Sequence, residues 1–253
     1  MPRSLILRAV FFLALIGVWF LLHRAEIWDP TLFPSPLQVA ATLWNSLRDG
    51  SLLLATAVSL RRILVGYAWS LLLGIVSGIL LARVRWLEDT VGALVLGLQT
   101  LPSICWLPLA LLWFGLNDNA ILFVVVMGAL LSITVAVQDG VKNIPPVYVR
   151  AALTMGTRPA AMYFQVLLPA SLPAILTGAK LGWSFAWRSL MAGELLFVSL
   201  GLGHMLMMGR ELADMSQVIA VMLVIVGLGL LVDRAIFGVL ERLVRERWGL
   251  LRD

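Results

Sequence analysis

The sequence is short of the residue types from which enzymes and metal sites are usually built. Only one cysteine and two histidines occur among 253 residues, and Asp, Glu, Lys and Arg together make up 13%. The single cysteine, Cys105, permits no disulfide within the chain. No G-x-x-x-x-G-K-[ST], H-E-x-x-H or G-x-S-x-G pattern is present. We therefore predict no catalytic centre, no metal site and no cofactor bound by this chain.

Apolar residues are abundant instead, at 61% of the chain. A soluble domain of this length could not bury so much apolar surface, so a membrane protein is predicted. The 19 Lys and Arg exceed the 14 Asp and Glu, which in a soluble protein would suggest a nucleic-acid partner. Here the cations lie at the ends of apolar runs, as positive-inside topology requires. Nucleic-acid binding is therefore not expected.

Six apolar runs predict an all-α integral membrane protein with about six transmembrane helices. The runs cover residues 9–22, 55–82, 90–116, 120–137, 174–198 and 215–232. The first run is short, but no small-x-small cleavage site follows it, so we predict a retained span. Most Lys and Arg outside the runs fall on one side, which predicts that both termini are cytoplasmic.

The second run carries a stripe of small residues and two cations. The small residues recur at intervals of three and four: Gly66, Ser70, Gly74, Ser77 and Gly78. Such a stripe predicts the close approach of another helix. Arg61 and Arg62 lie near the predicted periplasmic end, and we expect them to reach the headgroups.

The third run contains two prolines, Pro102 and Pro108. Proline inside a membrane helix frees backbone carbonyls and is tolerated where protein or a water-filled path satisfies them. Broken helices are common near substrate paths. A simple packing kink fits the same residues.

Two ionisable residues, Arg188 and Glu194, lie within the fifth run. Such groups are costly in a membrane and usually face a cavity or a partner. Six residues separate them, which places them on different helix faces, so we do not expect them to pair with each other. We interpret Arg188 as attracting or binding an anion in a translocation path; a salt bridge to another helix or subunit is the alternative. Lys180 is predicted to extend to the headgroups.

The stretch 147–173 is predicted to form two short helices on the cytoplasmic surface. Gly156 provides the permissive backbone that turns the chain between them. Pro159 suits the first turn of the second helix. Pro169 and Pro173 are expected to end that helix and start the next span. An ordinary surface hairpin between two spans is the alternative.

The same stretch resembles the EAA loop, the coupling element of ABC-importer permeases. The residues that carry the resemblance are Arg150, Ala151, Ala152, Gly156, Leu168 and Pro169. In that family the loop docks into a groove on the ATPase subunit. Arg150 is a departure, because the motif usually has Glu there. The resemblance therefore implies that these residues couple the chain to a separate ATPase.

Two further segments extend the resemblance over residues 30–245. LPSICWLPLALLWFGL, which includes Pro102 and Trp106, is similar to the sulfonate, taurine and nitrate importers. AWRSLMAGELL resembles the family's fifth span, in which an acidic residue stands at the place of Glu194. The predicted substrate path therefore includes Pro102, Trp106, Arg188 and Glu194.

The resemblance implies a type I ABC-importer permease in the bacterial inner membrane, with three segments. Residues 1–52 hold the first span and a periplasmic amphipathic helix at 37–47 with Trp44 at the interface. Residues 53–240 form the permease core, with the coupling loop at 139–173, and residues 241–253 form a basic cytoplasmic tail.

The implied partners are two ATPase subunits that bind ATP and Mg²⁺, a second permease copy in a homodimer, membrane lipid, and a periplasmic or lipid-anchored substrate-binding protein. The implied solute is a small anion resembling a sulfonate, taurine or nitrate; a neutral organic molecule, such as the thiamine-precursor pyrimidines that related permeases carry, is the alternative. An ion-gradient-driven secondary transporter without an ATPase is the alternative.

Overall fold

Membrane-length helices account for most of the structure, a computed structural model that describes residues 2–29, 31–158, 161–196 and 200–247. No strand occurs in these residues. The helices are α1 (Pro2–Arg24), α2 (Pro36–Arg48), α3 (Ser51–Arg83), α4 (Arg85–Gln99), α5 (Ser103–Phe114), α6 (Asp118–Lys142), α7 (Pro146–Thr154), α8 (Leu168–Leu196), α9 (Leu202–Glu211), α10 (Met215–Val232) and α11 (Gly238–Arg247).

The predicted number of spans is confirmed. Among the described residues, five helical segments are long and apolar enough to cross a membrane, and a bent pair would make a sixth. The five lie in α1, α3, α6, α8 and α10, and the last continues through a π-helical turn into α11. The bent pair is α4 with α5, whose axes meet at 106°.

The bend between α4 and α5 replaces the continuous third helix with two segments. Thr100 follows the last residue of α4, and Pro102 has an extended backbone (φ −55°, ψ 138°) immediately before α5. α5 begins as a 3₁₀ helix at Ser103–Trp106 and continues as an α-helix at Leu107–Phe114. Pro108 causes no second break because it lies in the first turn of this α-helical part, where its missing N–H costs nothing. The predicted kink therefore arises at one proline of the two.

Pro169 and Pro173 do not end a helix, so the prediction of a separate short helix before the fifth span is wrong. A π-helical turn at Met162–Leu167 runs directly into α8, which continues through Pro173. Proline is tolerated within membrane helices where a π turn rearranges the local backbone bonding. Pro159, the predicted start of the short helix, lies outside the described residues.

The small residues of α3 pack against α6, which confirms the predicted close approach. A Cβ on Gly74 would lie 2.8 Å from Cγ2 of Ile133, and one on Gly78 would lie 2.6 Å from the carbonyl oxygen of Thr134. The Ser70 hydroxyl donates a hydrogen bond back to the Gly66 carbonyl at 2.8 Å, so it does not hold the helices apart. Backbone-level approach of this kind requires the small residues.

The chain divides into two compact units. One comprises Met1–Ser59 with Val198–Gly227, and the other comprises Leu60–Phe197 with Leu228–Asp253. The second unit contains the buried apolar core, built chiefly from α6 and α8. It also contains the predicted coupling loop at 139–173 and the four residues of the predicted substrate path.

In the first unit, the predicted amphipathic helix is confirmed as α2. Ser35 and Gln38 form a reciprocal capping box at its start, which satisfies two backbone donors. The Trp19 indole of α1 donates to the Pro34 carbonyl at 3.1 Å and joins α1 to this start. The Trp44 side chain is 67% exposed, as the predicted interfacial position requires.

Lys180 is held by two carboxylates and does not extend freely to the headgroups as predicted. Its Nζ lies 3.1 Å from Asp233 and 3.3 Å from Glu241. These partners belong to the π-helical turn after α10 and to α11. The lysine therefore ties α8 to the C-terminal helices.

Candidate functional site

A cavity of about 330 Å³ lies in the second unit, between the α4–α5 break and the helices α6 and α8. Gln99, Thr100, Leu101, Pro102, Ser103 and Trp106 form one wall. Met127, Gly128, Leu131 and Ser132 of α6 form the other, with Phe185 and Arg188 of α8. The helix break at Pro102 therefore forms part of the wall of this cavity.

Arg188 is the cation of this cavity. Its guanidinium carbon lies 5.3 Å from the centroid of the Phe185 ring on the same helix, an arrangement that stabilises the cation without neutralising it. Among the ion pairs of the described residues, none includes Arg188. Its charge is therefore available to a ligand in the cavity.

The start of α5 adds a second positive feature. Pro102 precedes the helix without a side-chain cap, and Ser103, the first residue of α5, lines the cavity. The first N–H groups of a helix have no intrahelical acceptor, and the helix dipole makes this end favourable for anions. Ser103 and Ser132 also line the cavity, and a serine hydroxyl can donate to an oxyanion.

The four residues predicted for the substrate path fall in two places. Pro102, Trp106 and Arg188 meet at the cavity. Glu194 does not line it. Its side chain is fully buried, and its carboxylate accepts from Arg62 of α3 at 2.9 Å.

Arg62 therefore does not reach the headgroups as predicted. Its side chain is only 4% exposed, and it also binds Asp118, the first residue of α6, at 2.7 Å. Arg61 is exposed and binds the other oxygen of Asp118 at 2.9 Å. Sequence reasoning missed this cluster, although cations and carboxylates inside or beside apolar runs were a signal that they needed partners.

The coupling stretch forms α7 followed by a glycine turn. Gly156 has φ +77°, which is the left-handed backbone expected there. Its N–H donates to the Leu153 carbonyl at 3.0 Å, and the Thr157 N–H donates to the Ala152 carbonyl at 3.1 Å. These two bonds make a Schellman motif, which satisfies carbonyls at the end of the helix.

The two alanines of the motif differ in exposure. Ala152 is 7% exposed and packs in a small cluster with Ile144, Met162 and Leu167. Ala151 and Arg150 are exposed. Ala152 therefore contributes to the interior of the loop, and Ala151 and Arg150 contribute to the surface of α7.

Two more predicted coupling residues, Leu168 and Pro169, lie in the first turn of α8. Leu168 is 39% exposed and Pro169 is half-buried. The π-helical turn at Met162–Leu167 joins directly to them and carries two members of the small cluster under α7. The π-helical turn therefore connects α7 physically to the helix that bears Arg188.

Replacing Gly156 by Val should open the last turn of α7, whereas Gly156→Asn should leave it near native. A Cβ at this position would meet no heavy atom within 4 Å, so only the backbone conformation matters. A left-handed residue costs an L side chain about 1–2 kcal/mol, and Asn tolerates it best. Amide hydrogen exchange of residues 150–157 measures the difference. Equal exchange in the two variants would contradict the strain argument.

Membrane-length helices around a cation-bearing cavity are typical of a membrane transport protein. The chain belongs to the family described as the binding-protein-dependent transport system inner membrane component, which matches residues 70–246. It is therefore the membrane permease component of an ABC importer and not the ATPase, and its family is one of inner-membrane proteins.

Relatives cover most of the chain. A putative ABC transporter permease of Methanocaldococcus jannaschii is 34% identical over 87% of this chain and 84% of its own. The nitrate import permease of Leptolyngbya laminosa is 29% identical over 96% and 89%. The taurine transport permease of Escherichia coli K12 is 27% identical over 90% and 85%. These relatives confirm the resemblance to nitrate and taurine permeases.

The fold also matches a solved structure. A chain of the MetNI methionine ABC transporter, in an inward-facing conformation, superposes with a TM-score of 0.65 at 22% identity. The match covers 74% of this chain and 92% of that one. This likeness confirms the predicted type I permease architecture.

Proposed function

We propose that this chain forms the translocation path for a small anion and is driven by a separate ATPase that docks on α7. The observation that carries the proposal is Arg188, whose charge faces the cavity without a carboxylate partner among the described residues. The family already makes the chain an ABC permease. The proposal adds the charge of the solute and the place of coupling.

Two features of the cavity favour an anion. Arg188 supplies a full positive charge, and the uncapped start of α5 supplies unsatisfied N–H groups on the opposite wall. A discontinuous membrane helix that presents its N-terminus to an anionic solute group is a recurring arrangement in transporters. Relatives named for taurine, nitrate and aliphatic sulfonates transport compounds that bear an anionic group, so we propose a solute of this class.

The exposed side of α7 favours docking of the ATPase. Tyr148 is 54% exposed and Met155 is 84% exposed, and Ala151 lies between them at helical spacing. Two large apolar side chains flanking a small one make a surface that fits a groove. Arg150 adds a cation beside it, where the family motif usually has an acid. We propose that Arg150 meets a carboxylate on this ATPase.

The proposed assembly contains two copies of this chain, two ATPase subunits and a substrate-binding protein. One coupling helix occurs per chain, so a homodimer is the simplest way to engage two ATPases. We propose that both termini and α7 lie in the cytoplasm and α2 on the periplasmic side, as the distribution of Lys and Arg favours. ATP and Mg²⁺ bind to the ATPase, and transport follows if the docked α7 has different free energies in the two conformations.

Co-purification from detergent, followed by uptake, tests this function. The native chain should retain a stoichiometric ATPase, and a host strain that lacks the chain should recover uptake of radiolabelled taurine, ethanesulfonate or nitrate when it is restored. Uptake should cease when ATP is depleted while the proton gradient is kept. Uptake that follows the ion gradient and needs no ATPase would instead support a secondary transporter and overturn the proposal.

A further inference from the structure

One buried arginine joins three membrane helices in the second unit. Nη2 of Arg62 lies 2.7 Å from Oδ1 of Asp118, and Nη1 lies 2.9 Å from Oε1 of Glu194. Arg62 belongs to α3, Asp118 to α6 and Glu194 to α8. The planar guanidinium suits this task, because its separate N–H groups can bind two carboxylates at fixed angles.

The Arg62–Glu194 pair is buried and the Arg61–Asp118 pair is exposed, so the first costs more free energy to break than the second. Glu194 is 0% exposed and Arg62 is 4% exposed. Asp118 is 40% exposed and Arg61 is 71% exposed. Breaking a buried pair leaves an uncompensated charge in a low-dielectric interior, whereas an exposed pair contributes little. The Arg62–Glu194 contact is therefore the one that strongly resists separation of α3 from α8.

The cluster lies at the end of the helices opposite the coupling helix. α6 starts at Asp118 and ends at Lys142, just before α7. Glu194 lies near the end of α8 that is remote from the π-helical turn. Six residues separate it from Arg188, about 9 Å along the helix axis. The buried pair thus anchors α8 just beyond the residue that faces the cavity.

The same three helices also pack closely beside the cluster. A Cβ on Gly66 of α3 would lie 3.1 Å from the Val125 Cβ of α6. One on Gly193 of α8 would lie 3.4 Å from Cγ2 of Ile121 of α6. By contrast, the opposite cavity wall belongs to the bent segment α4–α5. The cavity therefore has one wall joined by a buried ion pair and one wall on a broken helix, whose Leu107 and Ala110 belong to the same apolar core.

Resting on the proposed transport function, we infer that Arg62 and Glu194 are positioning residues that keep α3, α6 and α8 together throughout the transport cycle. Arg188 then keeps a constant position relative to these helices. Movement delivered through α7 changes access to the cavity by shifting this three-helix group against the α4–α5 segment. The buried pair acts on transport through Arg188 and does not touch the solute.

Single and double substitutions distinguish a positioning role of the Arg62–Glu194 pair in transport from a role in protein stability alone. Arg62→Met alone leaves Glu194 buried without this partner and should destabilise the protein. Arg62→Met with Glu194→Met removes both charges, so the melting temperature of the permease–ATPase complex should return close to native. Ethanesulfonate or taurine uptake should still fall about tenfold or more, because small misplacements of a binding group are costly, while basal ATP hydrolysis persists. Arg61→Met, the adjacent exposed arginine, is the matched control and should behave as native.

Native melting temperature and native uptake in the double variant would overturn the inference, since the pair would then only stabilise the fold. A cross-link gives a second test that does not depend on that variant. Gly66→Cys with Val125→Cys, in a Cys105→Ser background, places two Cβ atoms close enough for a disulfide after a small shift. ATP-driven uptake should survive oxidation. Loss of uptake that reduction restores would mean that α3 and α6 separate during transport.

The native complex is measured first in both tests. If it shows no ATP-dependent uptake, the proposed function fails whatever the Arg62 variants do. If it transports and the disulfide blocks it, the function stands and only the positioning inference is overturned.

Discussion

Replacing Arg188 by Gln should lower anion uptake about tenfold or more without unfolding the protein. Gln keeps a similar length and polarity but removes the one charge among the described residues that line the cavity. Hydrogen bonds to a charged group contribute about 1.5–3 kcal/mol, and each 1.4 kcal/mol is a factor of ten. Since the guanidinium has no carboxylate partner among the described residues, its loss leaves no unpaired acid behind.

Uptake of the labelled anion at several concentrations, in a host that expresses each variant at the native level, measures this effect. Arg188→Lys keeps the charge and should retain part of the uptake, although a lysine lacks the planar fork. The melting temperature of both variants should stay within a few degrees of native, about the shift that 1 kcal/mol produces. Unchanged uptake by Arg188→Gln would show that the cavity is not the anion path.

Replacing Ala151 by Asp should release the ATPase while the permease remains folded. Ala151 is exposed on α7, so the substitution costs little in the isolated chain. In the proposed groove, the carboxylate would be buried without a partner, at about 3–5 kcal/mol. That is a loss of affinity of roughly 100-fold or more. ATPase retained by the tagged permease in a pull-down measures it.

The choice of alanine matters because the neighbouring one is buried. Ala152→Asp would place a charge in the cluster with Ile144 and Met162, so it would disturb the loop itself and would report on docking only indirectly. Ala41→Asp on α2 is the matched control, since Ala41 is also an exposed helical alanine but lies on the predicted periplasmic side. Retention of the ATPase by Ala151→Asp would contradict docking on this face of α7.

Local signals in the sequence predicted the elements that depend on a few neighbouring residues. The left-handed Gly156 follows from the absence of a side chain at a helix end. The amphipathic helix α2 follows from apolar residues that recur at helical spacing over 37–47. The packing stripe on α3 follows from residue size at helical intervals. Each of these conditions is satisfied within a few turns of helix.

Proline was a less reliable signal, for a physical reason. Pro102 breaks the third run, and Pro173 lies inside a continuous helix. Whether a membrane helix absorbs a proline depends on whether neighbours or a local π turn can accommodate the altered backbone bonding. That condition is set by the packed environment, which local sequence does not specify.

The sequence by itself determined that the chain spans a membrane, that it resembles the ABC-importer permeases, and which residues bear charge inside the apolar runs. Composition and helical periodicity suffice for the spans because the bilayer allows few backbone solutions, whereas the resemblance rests on motif residues such as Ala151, Gly156 and Pro169. Only the tertiary structure decided the partners of those charges. Arg188 reaches a cavity, while Glu194 binds Arg62, which lies 132 residues away in the chain. Which buried charges meet is fixed by the way helices distant in sequence pack together, and that packing brings Arg62 between two carboxylates and Arg188 to the cavity.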